Sequence, residues 1–172
     1  MSEADTLPGT TVRSQLIPLA DMCLLLPTTC IAEIVDWRDA EAVDDAPAWW
    51  LGILEWRGLR IPLLSFEAAN GRPPGEVSRH GRIAVLNGIG GDPGLPFYAL
   101  QLQGIPRLIL VDQAGIDTIA EAEESLPLVL EYVTLQGQDV LIPDQDKLEA
   151  LLKSAGATVS KQDEPSPGTM AP

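Results

Sequence analysis

The sequence predicts a mainly β protein built from small barrels. Short apolar segments recur at close spacing between Gly, Pro and Asp breakers, which favours many short strands over a sandwich of long ones. Helical periodicity is confined to two short stretches. One pattern also occurs twice. Leu54-Glu55-Trp56-Arg57-Gly58 followed by Ile61-Pro62-Leu63-Leu64-Ser65 is echoed by Val133-Thr134-Leu135-Gln136-Gly137 followed by Val140-Leu141-Ile142-Pro143-Asp144. Each is a strand, a Gly turn, an apolar strand and a small polar or acidic stop, so the chain reads as two related halves.

The elements follow in order. Residues 1–11 are a polar lead-in. Val12 to Leu19 and Met22 to Pro27 read as two short strands with a turn near Ala20-Asp21. From Thr28 to Val35, apolar Ile31, Ile34 and Val35 fall at helical spacing and the Thr pair offers an N-cap, so a short helix is expected. Arg38 to Pro47 is an acidic, solvated loop. Trp49 to Gly58 and Leu59 to Phe66 form a hairpin, and Gly58 supplies the positive φ its tight turn demands. Pro62 cannot donate to a ladder, so a sheet edge or a bulge is expected there. The Gly- and Pro-rich stretch from Ala69 to Gly75 divides the chain.

Arg82–Asn87 and Phe97–Leu102 are paired strands joined by the turn Gly88–Gly94, and Pro106–Val111 is a further apolar run. Leu128–Leu135 and Val140–Pro143 make the last hairpin around Gln136-Gly137. Asp144 can cap a helix whose apolar face is Leu148, Leu151 and Leu152. The polar, Pro-containing segment 154–172 reads as a disordered tail.

Composition limits the function. The chain has 172 residues, 45% hydrophobic and 21% charged, which suits a globular protein with a sizeable core. A net charge of −14 would repel a phosphate backbone, so nucleic acid is not an expected partner. No apolar run is long enough to cross a membrane, and the acidic start lacks the features of a signal peptide, so a cytoplasmic protein without direct membrane insertion is expected. Cys23 and Cys30 lie among aliphatic residues and read as buried thiols. His80 has no Cys nearby and reads as a loop residue, so no metal or other cofactor is expected.

Catalytic signatures are missing. The sequence has no G-x-S-x-G elbow, no P-loop and no H-E-x-x-H. The Gly88-x-Gly90-Gly91 stretch leads to a strand rather than to a helix N-terminus, which gives phosphate binding little support. Ser65 and Ser78 have no marked context, and Glu121, Glu123 and Glu124 read as a solvated charge run. The chain is therefore read as a non-enzyme.

What stands out is suited to contact with a partner. Four Trp residues, Trp37, Trp49, Trp50 and Trp56, fall within twenty positions. Trp49 and Trp50 cannot both point inward if they share a strand, so one is a candidate contact residue. Glu33 and Arg57 each sit among apolar neighbours. They either pair with one another or stand as two separate exposed charges. Arg57, Arg60, Arg72, Arg79 and Arg82 form a local basic island on an acidic protein, suited to steering an acidic partner.

The segment Gly52-Ile53-Leu54-Glu55-Trp56-Arg57-Gly58-Leu59-Arg60-Ile61-Pro62-Leu63-Leu64-Ser65 resembles the central signature of CheW-like domains, where a Gly, an Asn-x-Arg-Gly turn, a Pro and an Asp recur in this order. Pro27 to Val35, the Arg82–Asn87 strand, the stretch ending in Val111-Asp112, and the closing hairpin and helix also resemble that family in order. Glu55 stands where the family has Asn, and Ser65-Phe66-Glu67 where it has Asp. The Leu-Leu-Ser-Phe-Glu run and the Leu-Ile-Pro-Leu start resemble the ChpC-like chemosensory pilus branch.

The resemblance spans residues 12–153. It implies two SH3-like five-stranded β-barrel subdomains with short helices, divided near residues 70–81 and packed around a shared core. It also implies a non-enzymatic adaptor joining a methyl-accepting chemoreceptor cytoplasmic tip to the regulatory domain of a CheA-type histidine kinase, at membrane receptor arrays, in a system controlling type IV pili and twitching motility. In such domains the Arg of the Arg-Gly turn pairs with the helix Glu, here Arg57 and Glu33. The resemblance further implies an apolar receptor groove between the barrels, taking Ile34, Val35 and Trp56, beside Gly58 of the turn. Two other readings are an array scaffold that binds adaptors or receptors without coupling a kinase, and a small-ligand-binding barrel.

Overall fold

The computed structural model describes residues 11–76, 80–112, 115–119 and 126–161. The first sheet takes β1 (Thr11–Pro18), β2 (Cys23–Pro27), β8 (Arg107–Asp112), β9 (Ile116–Thr118), β10 (Val129–Leu135) and β11 (Gln138–Pro143) in the order β8-β1-β2-β11-β10-β9. The second takes β3 (Ile31–Asp36), β4 (Trp50–Trp56), β5 (Leu59–Leu64), β6 (Arg82–Asn87), β7 (Phe97–Leu102) and β12 (Ser160–Lys161). Its main path is β4-β5-β7-β6-β3, with β12 added to β5. Helices α1 (Phe66–Ala69) and α2 (Gln145–Ser154) each follow a hairpin. The fold is mainly β, with both sheets curled into SH3-like barrels.

Three cores explain which strands are apolar throughout. Leu16, Leu25, Val111, Val133, Leu135 and Val140 fill the first barrel. Val35, Leu54, Trp56, Ile61, Leu63, Ile83, Val85 and Ala99 fill the second. A third core lies between the sheets and takes Ile17, Leu24, Leu26, Leu64, Ala84, Leu86, Tyr98 and Leu100, together with Phe66, Leu148 and Leu152 of the helices. Leu24-Leu25-Leu26 and Ile83-Ala84-Val85-Leu86 alternate between a barrel interior and the shared core. Both faces of these strands are buried, so neither shows the polar alternation of a half-exposed strand.

The two sheets are not the two halves of the chain. The second sheet takes strands from both sides of residues 70–81, and β1 and β2 pair with β8 and β11 from the second half. The expected boundary near 70–81 falls between β5 and β6 of one sheet. Long-range pairing of this kind leaves no mark on local composition.

The helix expected over Thr28–Val35 is absent. Thr28–Cys30 form one 3-10 turn, and Ile31–Asp36 form β3, antiparallel to β6. A register shift between Ile31 and Glu33 places Ile31 and Ile34 against the shared core, and Ala32 and Val35 against the second barrel's core. The bulge thus reproduces the i, i+3 spacing of a helix on a strand. Pro62 lies inside β5, in the gap where β12 covers Leu59 and Arg60 and β7 covers Leu63 and Leu64, so its only ladder partner among the described residues is Ile53; the bulge of that hairpin sits between Trp50 and Gly52. The disordered tail expected from residue 154 begins too early. Ala157 is buried, the Val159 N–H donates to Gly94 O at 2.9 Å, and Ser160 and Lys161 pair with β5. Residues 1–10 and 162–172, Ser78, Arg79 and the charge run Glu121, Glu123 and Glu124 lie outside the described residues.

The repeated pattern is real in three dimensions. Both hairpins turn on a pair with positive φ, Arg57 (49°) with Gly58 (76°) and Gln136 (52°) with Gly137 (79°). Such turns match the twist of the flanking strands. Ser65 and Asp144, the two polar stops, are N-caps. Ser65 Oγ accepts the Ala68 N–H at 3.1 Å, and Asp144 Oδ1 accepts the Lys147 N–H at 3.1 Å.

Each helix also carries a buried carboxylate that holds a turn of the opposite sheet. Glu67 of α1 is 2% exposed and accepts the Ala20 N–H of the β1–β2 turn at 3.0 Å. Glu149 of α2 is 3% exposed and accepts the N–H groups of Ile89 and Gly90, in the β6–β7 loop, at 2.9 and 2.8 Å. The Gly-rich loop therefore does grip an anion, but the anion is the protein's own. Gln145 Nε2 donates to the buried Tyr98 hydroxyl at 3.2 Å in the same region. Burial raises the Tyr98 pKa well above its ordinary value, so the phenol stays neutral there.

Candidate partner-binding site

β3 and β4 are the end strands of the second sheet's main path. Glu33, Trp56 and Arg57 join those ends. Glu33 Oε1 accepts the Trp56 indole N–H at 3.0 Å and pairs with Arg57 Nη2 at 2.9 Å. The Arg57 guanidinium lies 4.9 Å from the centre of the Trp56 ring. That ring is buried and meets Phe97 edge-on at 4.9 Å. One carboxylate oxygen thus receives two donors, and the cation rests on an indole face, its preferred aromatic surface.

The pairing of Glu33 with Arg57 is present, but the pair is not buried. The Arg57 side chain is 65% exposed and that of Glu33 38%. Its contribution to stability is correspondingly small, in the range of about 0–1 kcal/mol for surface pairs. What the arrangement supplies is a fixed direction. Arg57 is held by its turn, by Glu33 and by Trp56, and still presents most of its surface to solvent.

The other expected groove residues do not join it. Val35 and Trp56 are buried inside the second barrel, and Ile34 is half-buried against the shared core. Ile34 and Val35 lie on opposite faces of β3, so the three side chains cannot line one groove. Gly58 is exposed and serves the turn. The tryptophan pair also differs from expectation. Trp49 lies in a turn before β4, so strand alternation does not apply to it. Both rings are half-buried against the shared core, with centroids 6.3 Å apart and planes 15° apart.

The basic island is largely neutralised. Arg60 pairs with Glu41 at 2.7 Å and Arg82 with Asp36 at 3.3 Å, beside the Arg57–Glu33 pair. Arg38 Nη1 donates to Glu55 O at 3.0 Å. Its loop reaches β4 through a two-way backbone bridge between Glu41 and Ile53. Gly52 makes that approach possible, since a Cβ at its φ of +150° would lie 2.4 Å from Glu41 O.

Sequence reading missed an apolar face on the first barrel. An open depression of about 710 Å³ is lined by Val12, Arg13, Gln15, Thr28, Pro106 and Leu108, among others. It lies beside the 3-10 turn, where the chain crosses from the first sheet to the second. Leu108 and Leu110 of β8 are 54% and 61% exposed. Their partners across the ladder, Gln15 and Arg13, share that outer face. The signal was the unbroken apolar run of β8. A strand with one solvated face should alternate apolar with polar, and the two outward leucines put exposed apolar surface on that face. Cys23 and Cys30 are free, half-buried thiols. Burial raises the pKa of both, and Arg107 offsets part of the rise at Cys23.

No helix among the described residues is long and apolar enough to cross a membrane. Residues 13–152 match the CheW-like domain. No curated protein matches the chain. Among solved structures, the scaffolding protein TtCheW from Thermoanaerobacter tengcongensis superposes with a TM-score of 0.66 at 17% identity, over 77% of this chain and 88% of that one. At that identity the likeness speaks to the fold.

Proposed function

Because the chain belongs to the CheW-like domain family, we propose that it is a non-enzymatic signalling adaptor that holds a chemoreceptor cytoplasmic tip and the regulatory domain of a CheA-type histidine kinase in register. The observation that carries this reading is Arg57. It stands in the Arg-Gly turn of the family signature, pinned by Glu33 and Trp56 and yet mostly exposed. A cation with a fixed direction contributes specificity, because little side-chain freedom is lost when a partner docks.

Affinity comes from apolar surface. The depression beside Thr28, with Leu108 and Leu110, replaces the groove expected at Ile34, Val35 and Trp56. Its open shape and single charged liner, Arg13, suit a protein surface better than an enclosed small ligand. Glu33 acts as the positioning residue of Arg57, and Gly58 as the residue that sets the turn. The adaptor works in the cytoplasm, recruited to receptor arrays at the cell pole. Its system is one controlling type IV pili, the branch that the Leu63-Leu64-Ser65-Phe66-Glu67 run resembles.

Arg57→Ala tests this reading. Receptor-dependent stimulation of the kinase should need about ten-fold more of the variant, the loss expected from one well-placed interfacial arginine. The thermal midpoint should barely move. Wild-type coupling with an unchanged midpoint would contradict the role of the arginine.

A further inference from the structure

β8 stands at one end of the first sheet and, among the described residues, pairs only with β1. The turn that follows β1 shows which backbone groups of β8 that pairing uses. The Leu19 N–H donates to Met22 O on the β2 side, whereas Pro18 O accepts the Gln103 N–H on the β8 side. Backbone groups alternate along a strand, so Leu16, Ser14 and Val12 face β8 as Pro18 does. Their partners Arg107, Ile109 and Val111 are the hydrogen-bonded positions of that ladder. The N–H and C=O groups of Leu108 and Leu110 therefore point to the open edge, where no described residue meets them. Their side chains, 54% and 61% exposed, stand on the outer face.

Sheet edges are ordinarily guarded by charge, proline, a bulge or brevity. β9, at the other end of this sheet, has three residues, one of them Asp117. β3, at an end of the second sheet, carries a bulge and Glu33. From Leu108 to Val111, β8 has no such guard, and its register with β1 is unbroken. The stretch is also complementary to itself. Directly opposite residues of an antiparallel pair are both hydrogen-bonded or both not. A second β8 laid antiparallel to the first, with the two-fold axis at Ile109, sets each Leu108 against the other copy's Leu110. Both leucines then exchange both of their free backbone groups, and their side chains form one apolar cluster on the outer face. The end carrying Arg107 on each copy lies beside the end carrying Asp112 on the other, so opposite charges meet. Pro106, without an N–H, ends the ladder.

We propose that this edge takes a second copy of the chain, joining two first sheets into one through β8. One strand pair with two leucines per copy covers far less than the roughly 800 Å² per partner of a standard interface. The pair is therefore weak and reversible, and a net charge of −14 on each copy weakens it further at low salt. Self-association of this kind is independent of the adaptor reading. It covers Leu108 and Leu110, so on that reading only the single copy offers them to another protein.

Sedimentation equilibrium of the full chain alone, from about 10 to about 500 µM in about 0.5 M salt, tests the pairing. A monomer–dimer equilibrium with a Kd of roughly 10–100 µM is expected. Leu110→Lys, which places a guarding charge on the edge, should weaken it at least about ten-fold. Leu130→Lys, at a comparably exposed leucine of β10, should leave it unchanged. Amide exchange of the unaltered chain reads the edge itself. Leu108 and Leu110 amides should exchange roughly five-fold more slowly at the highest concentration than at the lowest. A chain that stays monomeric throughout overturns the proposal and leaves the edge to a different protein. A dimer that survives Leu110→Lys, or that forms without slowing those two amides, is joined elsewhere and overturns it as well.

Discussion

The hairpin–helix unit β4–β5–α1 and its counterpart β10–β11–α2 use one local design for two purposes. Both turn on a non-glycine residue at positive φ followed by Gly, both place a polar N-cap after the second strand, and both pair that strand in parallel with a strand distant in sequence. Both helices send a buried carboxylate to a turn of the opposite sheet. They part at the turn side chain. Arg57 reaches Glu33 on β3 and lies over Trp56. On the second hairpin the nearby cross-strand contact is Thr134 Oγ1 donating to Asp139 Oδ1 at 2.9 Å. The backbone is satisfied equally well by Gln136. The turn backbone therefore does not require an arginine at position 57, and the proposed adaptor role rests on its fixed, exposed geometry.

The strongest way to break the comparison is to remove the carboxylates. Glu149→Ala leaves the Ile89 and Gly90 N–H groups without their acceptor, and should lower unfolding stability by about 2–4 kcal/mol in urea titration. Glu67→Ala leaves one such N–H, at Ala20, and should cost about 1–3 kcal/mol. Losses below about 0.5 kcal/mol in both would mean that the helices do not hold the opposite turns.

Much of this was legible in the sequence and some was not. The echo between Leu54–Ser65 and Val133–Asp144 identified both turns, and Asp144 was read as a cap, because turn and cap chemistry is local; Ser65 was read only as a polar stop, since the helix it caps is four residues long and carries no periodicity. The bulge in β3 was hidden, since i, i+3 apolar spacing arises from a helix and from a bulged strand between two cores alike. The interleaving of the sheets was hidden too, because pairing β1 with β8 depends on residues nearly a hundred positions apart. At the site, Glu33 and Arg57 were found by their isolation among apolar neighbours, and the pair exists. Val35 and Trp56 were misplaced because neither spacing nor family order tells which face of a strand meets solvent. Leu108 and Leu110 were passed over because an unbroken apolar run reads first as core.

A smaller change sharpens the comparison. Asn adopts positive φ readily in such turns, so Gln136→Asn should stabilise by about 0.5 kcal/mol. Arg57→Asn should gain the same relief and lose the pair and ring contact, leaving a net change within about 0.5 kcal/mol of zero. Parallel denaturant curves decide it. An equal gain at both sites would mean that the Glu33 pair contributes nothing.

The smallest effect separates the two helices by pH. Asp92, in the loop held by Glu149, accepts the Gly94 N–H at 2.7 Å and pairs with Lys153 of α2 at 3.2 Å. The Gly94 N–H first, and then Lys153, lower its pKa. A carboxyl with a lower pKa folded than unfolded stabilises the fold above its unfolded value, and this is lost as pH falls through the folded one. Asp92→Asn should therefore lose a little stability at pH 7 and none at the acid end, flattening the limb of the stability profile that falls below about pH 4. An unaltered acid limb would place Asp92 outside the second helix's hold on its loop.

The central claim is that this chain joins two partners. Co-sedimentation of the purified protein with a receptor cytoplasmic fragment and a CheA-type kinase from the same cell tests it most directly. The account predicts a ternary complex that forms only when this protein is present. Sedimentation of receptor and kinase that is the same with and without it would contradict the account.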